Sequence, residues 1–308
     1  KKIVIADRIG AFTKEIFGHT FDYHGGIFLA VGIAYSIQIY CDFSGCMDIV
    51  RGTSECFGIV LGENFRRPYF SQTLPEFWRR WHLSLGAFFR EYVFYPVSTS
   101  KLFLKLNVKI RDHLGNVIGK VFAASIPILC VWVLTGLWHG AKWNYIAWGL
   151  YHGVLICMST LFEEPLAKLT KALRIKTDCI SWEIFRMLRT FILCVIGRLI
   201  FMGQGIRSSI WMIRSMVFDH SKVYNIVDEF SLSGREWRVL IFGCLLLLAV
   251  SIAQEIMERR GSTGDVREWL AKQNIVFKWL VMAAGLAFIA ICGVYGSGAG
   301  ASFIYEQF

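Results

Sequence analysis

The sequence predicts an all-α protein that crosses a membrane several times. Of its 308 residues, 55% are hydrophobic and 15% are aromatic, while only 18% are charged. Soluble domains are roughly 45–50% apolar and about 25% charged. Several apolar runs also approach the ~20 residues that a helix needs to span a bilayer. These observations exclude an ordinary soluble enzyme.

Five apolar runs are clear candidates for spanning helices: 27–40, 119–138, 143–162, 237–254 and 275–295. A sixth run, 184–203, carries Arg186, Arg189 and Arg198. Charged side chains are costly inside a bilayer, so this run crosses only if its arginines are buried in protein or reach the interface.

The start of the chain, "KKIVIADRIG", resembles the middle of a longer protein rather than a beginning. Its first residue is Lys, and no secretory signal peptide is visible. We therefore expect residues 1–308 to form one membrane domain, the C-terminal portion of a protein whose earlier helices precede it.

The net charge of +10, from 33 Lys and Arg against 23 Asp and Glu, has a membrane explanation. Basic stretches 98–116 and 163–178 flank the helical pair 119–162, and the positive-inside rule places them on the cytoplasmic side. The nearly neutral segment 207–236 is predicted to be an outer-face loop. Nucleic-acid binding needs a basic face on a soluble module, and none is apparent. The expected partner is membrane lipid and not nucleic acid.

Nine cysteines occur without any C-x-x-C pair, so zinc ribbons and thioredoxin-like redox chemistry are not supported. We predict no metal site. The chain also lacks the G-x-S-x-G, H-E-x-x-H and P-loop motifs. Serine hydrolases of the α/β type, zinc proteases and nucleotide hydrolases are therefore unsupported.

The segment 74–96, "LPEFWRRWHLSLGAFFREYVFYP", predicts one amphipathic helix near the membrane interface. Pro75 suits the first turn, and Glu76 can pair with Arg80 four residues later. An aromatic and apolar stripe recurs at spacings of three and four: Trp78, Trp81, Leu85 and Phe88. A neighbouring stripe carries Arg79, His82 and Gly86. An aromatic belt with snorkelling arginines remains an alternative, but two cations beside an imidazole exceed what anchoring needs.

Two histidines lie in similar apolar settings, His139 in "GLWHG" (136–140) and His152 in "GLYHG" (149–153). The Gly-x-x-x-Gly spacing lets helix backbones approach closely, so we expect both histidines at a helix crossing. Burial favours the neutral imidazole, which can take a proton from a hydroxyl as general base. The alternative is a histidine that is hydrogen-bonded and serves only packing.

At these residues the sequence resembles the membrane-bound O-acyltransferases, in particular the bacterial branch for alginate O-acetylation and teichoic acid D-alanyl transfer. Four blocks carry the resemblance: 37–71, 74–96, 134–153 and 303–308. It implies a helical funnel with the reaction centre inside the membrane. It further implies that His139 is the catalytic base and that His82 is a second catalytic histidine, whereas His152 is not catalytic.

Seven further residues of these blocks are expected to bind substrate or support the site: Asp42, Ser44, Asn64, Trp78, Arg79, Arg80 and Trp138. Asp42 and Ser44 either cap a helix terminus or provide a polar lining, and the cap is the favoured interpretation. Asn64 belongs to the predicted interfacial loop 62–71, whose arginines suit lipid headgroups or the phosphates of coenzyme A equally well.

The resemblance implies an acyl donor that is a thioester, acyl-CoA or a carrier-bound group, with no tightly bound cofactor. Its acceptor would be the hydroxyls of an extracytoplasmic polysaccharide such as alginate or a cell-wall polymer. We expect acetyl transfer at the bacterial cytoplasmic membrane, completed by an extracytoplasmic acetyltransferase or esterase-like partner. Two alternatives remain: D-alanyl transfer to teichoic acid, and a transport or scaffold protein with histidines as proton relays. Few carboxylates lie in the central runs, which favours an enzyme.

Overall fold

The computed structural model describes residues 1–219, 221–261 and 266–295, and in this part every regular element is a helix. The α-helices are α1 Asp7–Gly18, α2 Ile27–Cys56, α3 Leu74–Arg80, α4 Leu83–Phe89, α5 Tyr95–Thr99, α6 Lys101–Trp138, α7 Trp143–Leu161, α8 Glu163–Ala172, α9 Ile180–Met202, α10 Ile206–Phe218, α11 Ile226–Glu229, α12 Gly234–Arg259, α13 Val266–Ala271 and α14 Ile275–Cys292. The all-α prediction is confirmed. The block 303–308 lies outside the described residues.

Four helical segments are long and apolar enough to cross a membrane: Ile27–Cys56, Ile118–Trp138, Gly234–Arg259 and Ile275–Cys292. The pair α7 and α8, bent by 56°, adds a fifth if it is one span. These segments correspond to the five clear apolar runs, so the chain is a multi-pass membrane protein. The sixth run forms α9, but its charged residues keep it out of this set of described helices.

The described residues group into two compact units. The first comprises Lys1–His19, Leu29–Gly62 and the described part of His220–Phe308, and the second comprises Thr20–Phe28 and Glu63–Asp219. His82, His139 and His152 all belong to the second unit. The prediction of one membrane domain over the whole chain stays a prediction.

In the first unit, the favoured interpretation of Asp42 and Ser44 as a helix cap is wrong. Helix α2 continues through both residues to Cys56, and both side chains are buried within it. A buried carboxylate requires a compensating charge. Lys2 supplies it, since its Nζ lies 2.5 Å from Oδ1 of Asp42 and 3.0 Å from Oδ1 of Asp7.

Two other segments differ from a simple loop. Residues 207–236, predicted as an outer-face loop, begin with helix α10, which buries its serines and Met212. The basic stretch 98–116 is mostly the first part of α6, which Ser100 caps by accepting a hydrogen bond from the Phe103 N–H. Gly115, at φ 90° and ψ 163°, then breaks the helix before the spanning segment starts at Ile118. A positive φ of this kind favours glycine.

The crossing of α6 and α7 positions the candidate site, and it confirms the prediction from the paired glycines. A Cβ atom on Gly136 would lie 2.5 Å from the Tyr145 carbonyl oxygen. A Cβ atom on Gly149 would collide with the Trp132 carbonyl oxygen, and one on Gly153 would lie 3.0 Å from the Trp132 Cβ. Only residues without side chains allow the two backbones to approach this closely.

Candidate active site

His82 lies at a break in the segment that was predicted as a continuous helix over 74–96. Helix α3 ends at Arg80, Trp81 is extended, and His82 adopts a left-handed conformation at φ 49° and ψ 59° before α4 begins. The single-helix prediction is therefore wrong. The members of its two stripes are divided between two short helices, and Trp81 and His82 lie in the break between them.

The cause of the break is backbone pairing with the preceding loop. Phe65 forms an isolated antiparallel bridge with Trp81. The Arg66 N–H donates to the Arg80 carbonyl at 2.9 Å, and the Leu83 N–H donates to the Asn64 carbonyl at 3.1 Å. These bonds occupy backbone groups that a continuous helix would use internally. Sequence periodicity alone does not report a partner segment of this kind.

Asn64 also fixes the side chain of His82. The Asn64 Oδ1 accepts from the Ser84 N–H at 3.0 Å and from the Ser84 hydroxyl at 2.7 Å, and it lies 3.3 Å from Nδ1 of His82. Because the amide oxygen can only accept, a neutral His82 in this contact carries its proton on Nδ1. Its Nε2 then carries the lone pair, which can take a proton from a reactant or accept a hydrogen bond.

His139 ends helix α6 and lies in a shell of aromatic rings. Its own ring is 8% exposed. The centroid distances are 4.7 Å to Trp138, 5.2 Å to Trp148 and 5.0 Å to Phe201. These residues come from α6, α7 and α9, so the imidazole faces the protein interior, where three helices meet.

The Trp138 ring is close to both candidate histidines. Its ring centroid is 4.7 Å from that of His139 and 6.3 Å from that of His82, and half of its surface is exposed. Because both histidines pack near the Trp138 ring, His82 and His139 lie close together although they come from distant sequence blocks. The resemblance had suggested that both histidines serve one site, and the geometry is consistent with that.

Burial controls the charge of both histidines, which lie outside the membrane-spanning segments. It lowers the pKa of His82 to about 4. It also lowers the pKa of His139 to about 3, with smaller contributions from the positive charge of Arg198 and from His82. Since an imidazole loses hydration when buried, the neutral form is favoured. Both side chains are therefore neutral bases at physiological pH.

His152 occupies a different environment in the middle of α7. Its ring is 2% exposed, and its Nδ1 accepts a hydrogen bond from Trp78 Nε1 at 3.4 Å. Its Nε2 abuts α9 so closely that a Cβ atom on Gly197 would lie 2.5 Å away. Trp78, a predicted supporting residue, therefore contacts His152, and its ring centroid also lies 5.6 Å from that of Trp148.

The two predicted cations of α3, Arg79 and Arg80, are more exposed than His139. Arg79 is exposed. Arg80 Nη2 lies 2.8 Å from Glu76 Oε1, which confirms the predicted ion pair. The expectation that they supply charge beside His82 stays a prediction.

The cation that the structure places within the site is Arg198 of α9. It is 5% exposed, and its guanidinium carbon lies 4.6 Å from the centroid of the Trp81 ring. Its Nε and Nη2 are buried, and within the described ranges neither has a hydrogen-bond partner. A desolvated cation–π contact contributes about 2 kcal/mol, whereas burying an ion costs several kcal/mol. The Trp81 ring thus offsets only part of the cost.

Sequence reasoning noted Arg198 only as an obstacle to membrane crossing, and it did not select Trp148. An ionisable residue inside an apolar run is a functional candidate by default, and that rule would have selected Arg198. Trp148 lies four residues before His152, hence on the same face of α7, and it is 2% exposed. Its Nε1 is also buried without a hydrogen-bond partner among the described residues.

Asn144 was missed for a different reason. Its Nδ2 donates to the carbonyls of Phe201 and Gly203, at 2.7 and 3.0 Å, and so joins the start of α7 to the end of α9. No motif in the sequence indicates this tertiary contact.

Within the described part of the chain, no three His, Cys, Asp or Glu side chains come together as metal ligands.

Comparison with known proteins identifies a family model and several relatives of similar sequence. Residues 21–110 match the sequence model of MBOAT, the membrane-bound O-acyltransferase family. The chain is 30% identical over 264 residues to a probable alginate O-acetylase of Pseudomonas syringae pv. tomato, which covers 86% of this chain and 45% of that protein. It is 29% identical over 217 residues to a peptidoglycan O-acetyltransferase of Helicobacter pylori, covering 70% of this chain and 36% of the relative.

A third relative is a teichoic acid D-alanyltransferase of Bacillus subtilis, 34% identical over 133 residues. That match covers 42% of this chain and 30% of the relative. The chain thus spans less than half the length of these curated relatives.

Proposed function

Because this chain belongs to the membrane-bound O-acyltransferase family, we propose that it carries the catalytic histidines of an O-acyltransferase. The enzyme transfers an acyl group, with acetyl as the expected group, from a thioester to hydroxyls of an extracytoplasmic polysaccharide such as alginate or a cell-wall polymer. The observation that carries the proposal is the neutral, buried imidazole of His139 at the α6–α7 crossing, with the Trp138 ring next to both His139 and His82.

His139 is the general base of this reaction. A neutral imidazole accepts the proton of the acceptor hydroxyl while that oxygen attacks the thioester carbonyl carbon. The protonated His139 ring then returns this proton to the thiolate that leaves. The aromatic shell of Trp138, Trp148 and Phe201 fixes the orientation of the ring and limits water, which would otherwise compete as acceptor.

His82 polarises or orients a reactant. Asn64 and Ser84 hold its Nδ1 side, which directs the Nε2 lone pair away from the loop. Because His82 adopts a left-handed backbone conformation at a helix break, its ring direction differs from that of a residue in a continuous helix. Backbone strain of this sort occurs often at functional sites.

The donor is proposed to be acyl-CoA or a carrier thioester, bound as a substrate and not as a resident cofactor. The proposed location is the bacterial cytoplasmic membrane, with membrane lipid around the apolar helices. An extracytoplasmic acetyltransferase or esterase-like protein is the proposed partner. Alginate and peptidoglycan O-acetylation by two of the similar proteins support the acetyl group and the polysaccharide class.

A second candidate is D-alanyl transfer to teichoic acid, favoured by the identity of 34% to a protein of that name. Both candidates use a thioester donor and a hydroxyl acceptor, so the histidine chemistry is shared. They differ in the acyl group, which a mass measurement distinguishes directly.

The test compares surface polysaccharides from wild-type cells, cells without the gene, and deletion cells that express the wild-type protein or His139→Ala. We expect a loss of polymer-bound acetyl on deletion, restored by the wild-type protein. The variant should insert normally but transfer at least ~10²-fold more slowly, within the range of general base catalysis. Loss of D-alanine instead of acetyl would establish the second candidate.

His113→Ala is the matched control, since His113 is exposed and its Nδ1 lies 2.9 Å from the Lys109 carbonyl of its own helix. It should restore acetylation fully. If His139→Ala restores acetylation as well as His113→Ala does, the assignment of His139 is wrong. If deletion removes neither acetyl nor D-alanine, the proposed function itself is wrong.

A further inference from the structure

Two buried side chains near His139 carry hydrogen-bond donors that have no acceptor among the described residues. The Arg198 guanidinium has Nε and Nη2 buried without partners among the described residues, and the indole Nε1 of Trp148 is in the same condition. The Trp148 ring centroid lies 5.2 Å from that of His139. Arginine and tryptophan side chains can donate hydrogen bonds but cannot accept them, so both require an acceptor.

The residues next to Arg198 on α9 pack against the two histidines of the α6–α7 crossing. Gly197 abuts His152, and Phe201, three residues after Arg198 on the helix, contacts His139 at 5.0 Å. The guanidinium itself stacks on Trp81, whose next residue is His82. Arg198 thus extends from α9 into the group of aromatic and histidine rings around the proposed base.

We propose that Arg198, assisted by the Trp148 indole N–H, binds the oxyanion that forms on the thioester carbonyl during acyl transfer. The inference rests on the proposed function and adds two catalytic residues to it. Buried donors oriented before the reaction stabilise developing negative charge effectively, because little reorganisation is needed when the charge appears.

The acceptor oxygen loses its proton to His139 and forms a bond to the carbonyl carbon, and the π electron pair moves to the carbonyl oxygen. That oxygen is the anion facing Arg198 and the Trp148 N–H. The pair then returns, the carbon–sulfur bond breaks, and the thiolate takes the proton from His139, leaving the ester and a free thiol.

A transient anion accounts for the surroundings better than a permanent one. Within the described residues no carboxylate pairs with Arg198, and burial keeps neutral the nearby imidazole of His139, whose pKa the charge of Arg198 also lowers. A guanidinium held this way is ready for a charge that appears only during the reaction. A carboxylate or phosphate fixed on a substrate is the competing source, and the kinetic constants separate the two.

The test uses membrane vesicles of the native host, which retain the other membrane components, with acetyl-CoA and an alginate oligosaccharide as probes. Turnover is normalised to the amount of folded protein, measured by size-exclusion chromatography in detergent. We compare Arg198→Met, Arg198→Lys and Trp148→Phe with Arg186→Met, a control that removes the same charge from the same helix away from the rings.

We expect Arg198→Met to lower kcat by ~10²–10³-fold with the KM values within about threefold, as for loss of an oxyanion donor. Arg198→Lys should recover part of the rate, Trp148→Phe should lose about tenfold, and Arg186→Met should stay within about twofold of wild type. The acid limb of kcat/KM should also move to higher pH in Arg198→Met, since its cation no longer opposes protonation of His139. That shift reports the loss of a positive charge near His139, whereas the fall in kcat at nearly unchanged KM is the result that a merely structural role would not produce.

A kcat of wild-type size in Arg198→Met overturns the inference, and so does a raised KM with unchanged kcat, which would place the anion on a substrate. If Arg198→Met does not fold, Trp148→Phe decides, because it removes the N–H donor while it keeps a smaller aromatic ring at this position. An unchanged rate in that variant would again overturn the inference. Absence of transfer by wild type would refute the proposed function instead.

Discussion

Replacing Gly136 by alanine tests whether the α6–α7 crossing sets the position of His139. The added Cβ would lie 2.5 Å from the Tyr145 carbonyl oxygen and 3.0 Å from its carbonyl carbon. A Cβ atom essentially never comes within 3.0 Å of such a non-bonded atom, so the two backbones must separate by at least ~0.5 Å. Neither neighbour can rotate away, because both atoms belong to the backbone of α7. Overpacking of this kind costs about 1–3 kcal/mol.

The displacement matters because His139 follows Gly136 by three residues, and its N–H donates to the Gly136 carbonyl at 3.1 Å. A misplacement approaching 1 Å can cost on the order of 10²-fold in rate. We therefore expect Gly136→Ala to lower acyl transfer by about 10–100-fold and to unfold at a lower temperature in detergent.

The assay combines thermal unfolding in detergent with acyl transfer in vesicles, normalised to folded protein. Gly285→Ala is the matched control, since its Cβ would meet no atom within 4 Å. That helical substitution should be neutral or slightly stabilising. A Gly136→Ala protein with the wild-type unfolding temperature and rate would refute the argument that the crossing positions the histidine.

The remaining predictions concern the charge and orientation of the histidines. With a pKa of about 4 for His82 and about 3 for His139, both rings stay neutral as the pH falls from 8 to 5. We expect kcat/KM to be flat over this range. About 90% of His82 is neutral at pH 5, against about 3% for an unperturbed histidine. An acid limb of kcat/KM centred near pH 6.5 would contradict the assigned burial. Asn64→Ala removes the acceptor that holds His82, so we expect a 10- to 100-fold loss of rate. Asn64→Asp, which keeps an acceptor oxygen, should recover much of it, and equal rates for both variants would show that Asn64 does not orient the ring.

The membrane fold could be predicted from the sequence because composition and run length report the solvent directly. The apolar runs 119–138 and 237–254 lie within a few residues of the spanning segments Ile118–Trp138 and Gly234–Arg259. The glycine pairs of the two histidine motifs were equally informative, because a close backbone approach permits no larger residue. Both are local rules, and they hold whatever the rest of the chain does.

The geometry around His82 could not be predicted in this way. The periodicity of 74–96 fits a helix well, but the pairing of Phe65 with Trp81 and the bonds from Asn64 override it. The same applies to the Arg198–Trp81 contact, which joins residues more than a hundred positions apart. Interactions of this kind depend on which segments meet, and a single sequence does not specify that.

The two histidine motifs show how tertiary context separates residues with almost the same local sequence. Both follow a Gly-Leu-aromatic triplet and precede a glycine, yet His139 ends its helix whereas His152 lies within one. The ring of His152 accepts a hydrogen bond from Trp78 at one nitrogen and abuts Gly197 at the other, so neither nitrogen has room for a reactant. His139 lies past the last turn of α6, where its ring packs against the aromatic rings of Trp138, Trp148 and Phe201. A proton acceptor must be approached by its substrate, which the surroundings of His152 prevent, and this is why His139 is the proposed base.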